Sequence, residues 1–146
     1  MTPQELGILF KKISKYDQTM GLEFKMIGPG EIEYTLEITD KHLSSPETCH
    51  GAVLAGMMDC VLGLTVLSHS VTLDKLCSTV EFKTNFITPA KLGDVLIGTA
   101  QLDYVGKTLV VCNGTILSKN DGRMVAKGMG TFNLYPLSKK DLAKWS

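Results

Sequence analysis

An excess of charge of either sign is missing from this 146-residue chain, in which fifteen Lys and Arg balance fifteen Asp and Glu. Without a basic surplus there is no electrostatic footprint for a polyphosphate backbone, and nucleic acid drops out as a partner. Cysteine pairs at metal or redox spacing are also missing. Cys49, Cys60, Cys77 and Cys112 contain no C-x-x-C motif, and three of them sit in apolar runs where a thiol acts as a small hydrophobe, which points to a reducing, cytoplasmic setting. His42, His50 and His69 form no H-x-x-x-H pattern, and adjacent Cys49 and His50 chelate poorly, so no metal and no other cofactor is expected. The N-terminus carries Lys11 and Lys12 after its apolar residues, the reverse of a secretory leader. With 21% charged and 44% hydrophobic residues the chain is too apolar for disorder and rich enough for one packed core. A single domain over residues 1–146 is the expectation.

What is present begins with a helix signal. Thr2-Pro3-Gln4-Glu5 has the form of a capping box with proline at the first helical position, and Leu6, Leu9, Phe10 and Ile13 follow on one face, predicting a helix over about 3–16. Leu22–Ile27, Gly28-Pro29-Gly30 and Ile32–Ile38 read as a hairpin, and 39–49 as a loop. Residues 50–68 are apolar on nearly all sides, the pattern of a core helix. A membrane span is not expected, because the run is short and Asp59 stands in its middle. Four segments rich in β-branched and aromatic residues follow: Ser78–Thr88, Val95–Tyr104, Thr108–Ser118 and Met124–Tyr135. Turn residues separate them, which predicts an antiparallel meander, with Asp141–Trp145 as a short tail. Alternation puts Gly98, Ala100, Gly114, Ala126, Gly128 and Gly130 on one face of their strands, where a helix would pack closely. The fold class is α+β, and an edge strand in need of cover predicts a homo-oligomer.

Asp59 is the chemical anomaly, since a carboxylate in an apolar helix must find partners, stay protonated or be kept for use. Ala55, Gly56, Leu62 and Gly63 lie three and four positions away, so its side of the helix admits close approach. A structural role, capping a neighbouring element or meeting a second subunit, remains open beside the functional one. His50-Gly51 falls at the helix start, where free N–H groups and the positive end of the helix dipole favour a developing oxyanion. Cys49 beside His50 admits a cysteine-nucleophile reading, against which adjacent side chains in an extended segment point apart. Met57 and Met58 are candidates for an acyl-pocket lining.

His-Gly-small, an acid nine residues after the histidine, and the strand end Asn85-Phe86-Ile87-Thr88-Pro89-Ala90-Lys91-Leu92-Gly93-Asp94 together resemble hotdog-fold acyl-CoA thioesterases, in the 4-hydroxybenzoyl-CoA and phenylacetyl-CoA (PaaI-like) branch. The similarity runs from about Gly30 to Leu134 and includes Gly106-Lys107-Thr108 and the Asp121-Gly122 hairpin. It implies a curved antiparallel sheet around the central helix, a homodimer or dimer of dimers, and sites built from two chains. It also implies that an acyl-CoA thioester is hydrolysed to free acid and coenzyme A, with coenzyme A as part of the substrate.

Carried over by resemblance, Asp59 is the nucleophile or general base, Gly51 the backbone N–H that polarises the thioester carbonyl, and His50 the histidine beside it. Thr79, with Ser78 adjacent, takes the place of the hydroxyl that holds the water. Where the family often carries Asn, six residues before the histidine, this chain has Ser44, and the second glycine after the histidine is Ala52. Ser44 offers fewer hydrogen bonds than an amide, which keeps a non-catalytic acyl-CoA or fatty-acyl binding protein as the alternative and a hotdog dehydratase behind it. Lys91, Lys107 and Arg123 are the candidates for coenzyme A phosphates, with Lys83 and Lys127 also in reach of that role.

Overall fold

The structure is a computed structural model and describes residues 1–145. Thr2 caps helix α1 (Pro3–Ile13), with its side chain and that of Glu5 closing the box reciprocally. The first helix is shorter than the apolar stripe suggests. Ser14 adopts an extended backbone, its N–H bonds back to the Phe10 carbonyl, and its hydroxyl accepts the Asp17 N–H to start a second helix, α2 (Lys15–Met20). Gly21 ends α2 in the left-handed region, where glycine carries no Cβ penalty.

The hairpin forms as expected from β1 (Glu23–Gly28) and β2 (Glu31–Glu37). The segment expected to be an irregular loop contains a one-turn helix at Asp40–His42 and a small hairpin of β3 (Leu43–Ser45) and β4 (Thr48–Cys49). Backbone bonds from Cys49 to Ala90 and from Leu92 to Glu47 fasten it to the 89–94 loop. Helix α3 (Gly51–Ser70) follows, then β5 (Lys75–Phe86), β6 (Val95–Val105), β7 (Leu109–Ser118) and β8 (Met124–Pro136). The expected tail is helix α4 (Lys139–Trp145).

One antiparallel sheet has the order β1-β2-β6-β7-β8-β5. The predicted meander therefore holds for β6, β7 and β8 only. The chain crosses from β5 at one edge to β6 beside β2, because the long β8 pairs with β5 from Lys75 to Phe86. Helix α1 covers the β1 edge, with Gly7 so close that a Cβ there would lie 2.9 Å from Met26 Cγ. At the β5 edge Val80, Phe86 and Ile87 stay more than half exposed.

Helix α3 fills the concave side of this sheet. By length and composition it would cross a membrane, yet Val53, Leu54, Met57, Met58, Val61, Leu62, Leu64 and Val66 are all buried in the core. The small-residue face does what its alternation predicts. Gly98 faces Met57 and Val61, Gly114 faces Met58 and Leu62, and Gly130 faces Leu62. At Gly128 a Cβ would sit 2.8 Å from both the Lys83 carbonyl oxygen and Met58 Cγ, and the backbone oxygen has no room to move. Gly128→Ala is expected to destabilise the protein by about 1–3 kcal/mol, the usual cost of overpacking. Gly28→Ala, at a position with nothing within 4 Å, is expected to be near neutral, and thermal melts of the two variants side by side check the contrast.

Candidate functional site

Asp59 lies midway along α3 and points to the strand at the open edge of the sheet: Thr79 Oγ1 donates to Asp59 Oδ1 at 2.9 Å. Thr79, rather than Ser78, is thus the hydroxyl that meets the carboxylate. Strand β5 delivers it through a bulge between Thr79 and Glu81 that re-aims the local side chains. A single accepted bond leaves most of the four or so acceptor sites of an ionised carboxylate for other donors.

Asp59, Ser78 and Thr79 line a cavity of about 480 Å³ whose walls include Phe10, Leu64, Leu67 and Phe132. Helix α2 closes one side of it. The Tyr16 hydroxyl presses on Gly56, where any Cβ would collide with it. Asp17, 5% exposed, accepts 2.7 Å from the Tyr34 hydroxyl and weakly from the Cys60 thiol. Burial, followed by the charge of Asp17, holds the Tyr34 phenol far above its ordinary range, so it remains a donor. Burial does the same at Tyr16, with Cys60, Asp17 and Asp59 adding to it. Sequence reasoning missed this polar end of the cavity because Lys15–Thr19 reads as a solvated polar run. Ser14 three residues before Asp17 was the available signal that a new helix begins there.

At the other end of α3, His50 is the N-cap, and its Nδ1 accepts the Ala52 N–H at 2.9 Å. Gly51 opens the helix, so its N–H lies outside the helical ladder, and the Phe86 ring is 3.6 Å from where its Cβ would be. His50 is therefore engaged as a cap through one ring nitrogen, and Ser44 is exposed on β3. The structure does not bring Gly51 and Asp59 of one chain together. Eight residues of helix at 1.5 Å each put them about 12 Å apart along the axis.

The candidate phosphate ligands do not cluster either. Arg123 spends its guanidinium on Asp94, Asp121 and the Pro89 carbonyl, and Asp121 in turn is held below the usual carboxylate range by Arg123. Lys107 lies in the β6–β7 turn, at the far end of the sheet from the Pro89–Asp94 loop. Lys91 is exposed and pairs with Thr48 just before His50, which places it by the N-terminus of α3. Burial raises the Cys49 thiol to about 11 and the Cys77 thiol to about 12. Cys49, whose Sγ faces the His50 carbonyl oxygen rather than an imidazole nitrogen, has neither the thiolate nor the base of a cysteine nucleophile. Among the described residues no group of His, Cys, Asp and Glu is placed to hold a metal ion.

The sequence profile of the thioesterase superfamily matches residues 47–125, from just before the helix cap to the β7–β8 hairpin. A Caenorhabditis elegans protein named as esterase F42H10.6 is 35% identical over 100 residues, which span 68% of this chain and 57% of that protein. Human acyl-coenzyme A thioesterase 13 is 24% identical over 135 residues, covering 90% of this chain and 95% of that one. In three dimensions the PaaI protein of the Escherichia coli phenylacetic acid degradation operon superposes with a TM-score of 0.83 at 20% identity, over 91% of this chain and 93% of that chain. A curved antiparallel sheet around one long helix is the hotdog architecture, and with it the chain belongs to the thioesterase superfamily.

Proposed function

We propose that the protein hydrolyses acyl-CoA thioesters, with Asp59 as the base or nucleophile and the Gly51 N–H as the oxyanion donor. The observation that carries this reading is the Asp59–Thr79 pair, set in a largely apolar cavity on the core helix of a thioesterase-superfamily chain. The name of the human relative supports coenzyme A as the handle. In the general-base route Asp59 takes a proton from water held by Thr79, and the hydroxide adds to the thioester carbon. The tetrahedral oxyanion rests on the Gly51 N–H, then collapses and expels the thiolate, which recovers the proton from Asp59. In the nucleophilic route Asp59 itself forms an anhydride that water opens. A thiolate leaves without a general acid because its conjugate acid has a pKa of about 8.5, by analogy with cysteine.

The helix rise requires a second copy. A donor must sit about 3 Å from the oxyanion, so Asp59 and Gly51 of one chain serve different carbonyls. Because the bulge at Val80 adds one residue to β5, Thr79, which marks Asp59, and Phe86, which marks Gly51, lie three rungs of the ladder on either side of Lys83. Antiparallel pairing of two β5 edges about that point sets Thr79 opposite the partner's Phe86, and hence Asp59 beside the partner's Gly51. The same pairing covers the exposed Val80, Phe86 and Ile87. Lys91, next to the Gly51 end, is then the candidate for a coenzyme A phosphate. The free thiols Cys49, Cys60, Cys77 and Cys112 suit a reducing compartment.

A thiol-release assay over a panel of aromatic and aliphatic acyl-CoAs tests the activity. Asp59→Asn is expected to lower turnover more than about 100-fold, the lower bound for a positioned general base, with the melting temperature and acyl-CoA binding retained. If turnover persists in the folded variant, Asp59 is structural and the mechanism fails. Binding without turnover in the wild type would favour the acyl-CoA binding protein, with Ser44 as the reason. Light scattering at micromolar concentration is expected to give a dimer or a dimer of dimers, and a stable monomer would contradict the shared site.

A further inference from the structure

The segment between β2 and α3 holds a histidine that the hydrolytic chemistry does not use. His42 is 1% exposed, and its ring is bonded on both sides. The Thr39 N–H reaches Nδ1 at 2.9 Å, and Nε2 is 2.8 Å from the carbonyl oxygen of Met20, the last residue of α2. An amide N–H only donates and a carbonyl only accepts, so these contacts assign a bare Nδ1 and a proton on Nε2. The backbone of the same residue continues the chain of bonds. The His42 carbonyl accepts the His50 N–H at 2.8 Å, and His50 Nδ1 accepts the Ala52 N–H. One buried residue thereby ties the end of α2, which carries the cavity residues Tyr16 and Asp17, to the cap that sets the Gly51 amide.

We propose that His42 is a positioning residue for thioester hydrolysis, holding the N-terminus of α3 where its first amide can meet an oxyanion. This inference rests on the hydrolytic function proposed above. The geometry favours it because the hairpin before the cap contributes only two residue pairs of its own, Leu43 with Cys49 and Ser45 with Thr48, and is fastened on one side to the 89–94 loop, so that His42 supplies the tie on the α2 side. Oxyanion donors work within a few tenths of an ångström, and a displacement of about 1 Å costs on the order of 100-fold in rate. The hydrogen bonds of His42 go to Thr39, Met20 and His50 and not to Asp59 or Thr79, so it acts through the backbone it holds.

The test compares His42→Leu, His42→Asn and His42→Gln with Ile32→Ala, a core substitution on β2 near Gly30, whose N–H bonds to Ser68 at the far end of α3 from the cap. Asparagine keeps an acceptor where Nδ1 stands, and glutamine extends a donor toward the Met20 carbonyl. For an acyl-CoA that the wild type hydrolyses, kcat and KM are measured on folded protein, together with the Kd of its unreactive thioether analogue. His42→Leu is expected to lose about 10- to 100-fold in kcat, with KM and the analogue Kd within about threefold. His42→Asn and His42→Gln should each recover part of the loss. Ile32→Ala, although it also lowers the melting temperature, should keep kcat. Retained kcat in His42→Leu, or an equal loss in Ile32→Ala, overturns the proposal while leaving the hydrolytic function standing. A wild type that turns over no acyl-CoA overturns both.

Discussion

Everything in this molecule depends on how closely α3 can approach the sheet. Where α3 comes closest, a sheet curved around it leaves the central strands little depth for side chains on the concave side. Gly98, Gly114, Gly128 and Gly130 meet that constraint, with Met57, Met58, Val61 and Leu62 filling the space that their missing Cβ atoms release. The packing fixes the rotation of the helix, and rotation decides which residue faces the open edge. Asp59 meets Thr79 because Met58 and Leu62, beside it around the helix, are locked against Gly114, Gly128 and Gly130. A buried helix that could turn about its axis would not keep a carboxylate at a fixed site.

Under the proposed mechanism the same rigidity divides the chemistry between two chains. A helix of 20 residues cannot bend its first amide back to its ninth residue, and β5 runs beside it, with Phe86 against Gly51 and Thr79 against Asp59. The edge strand β5 thus exposes Val80, Phe86 and Ile87 and also carries the residues that meet Asp59 and Gly51. In the proposed dimer one surface serves both association and catalysis, and the opposite edge of the sheet is covered by α1.

Much of this was legible in the sequence, because it rests on local rules. The Thr2–Glu5 capping box, the Gly28–Gly30 hairpin turn, the glycine alternation and the lone acid of α3 are each set by neighbouring residues or by a simple period. The resemblance pointed to Thr79, and the structure shows it bonded to Asp59. What was not legible depends on long-range pairing or on bonds to single atoms. No local signal says that β5 pairs with β8 instead of β6, because that pairing joins residues some fifty positions apart in the sequence. Asp17 looked solvated among Lys15, Gln18 and Thr19 until α2 turned it inward onto Tyr34. Arg123 read as a free cation, and only its contacts to Asp94 and Asp121 show it spent. His42 had no motif at all, since its partners are backbone atoms of Thr39 and Met20.

The central claim is that one catalytic site takes its carboxylate from one chain and its oxyanion donor from the other, and complementation between two inactive variants tests it most directly. Asp59→Asn removes the base. Gly51→Pro removes the amide hydrogen at the first helical position, where proline is tolerated and where the extended backbone of His50 suits a following proline. Each variant alone is inactive under this account. Co-refolded in equal amounts, half of the dimers are mixed and each mixed dimer holds one intact site, so the mixture should recover about a quarter of wild-type activity. A mixture as inactive as its components would contradict the shared site and place the whole reaction within a single chain.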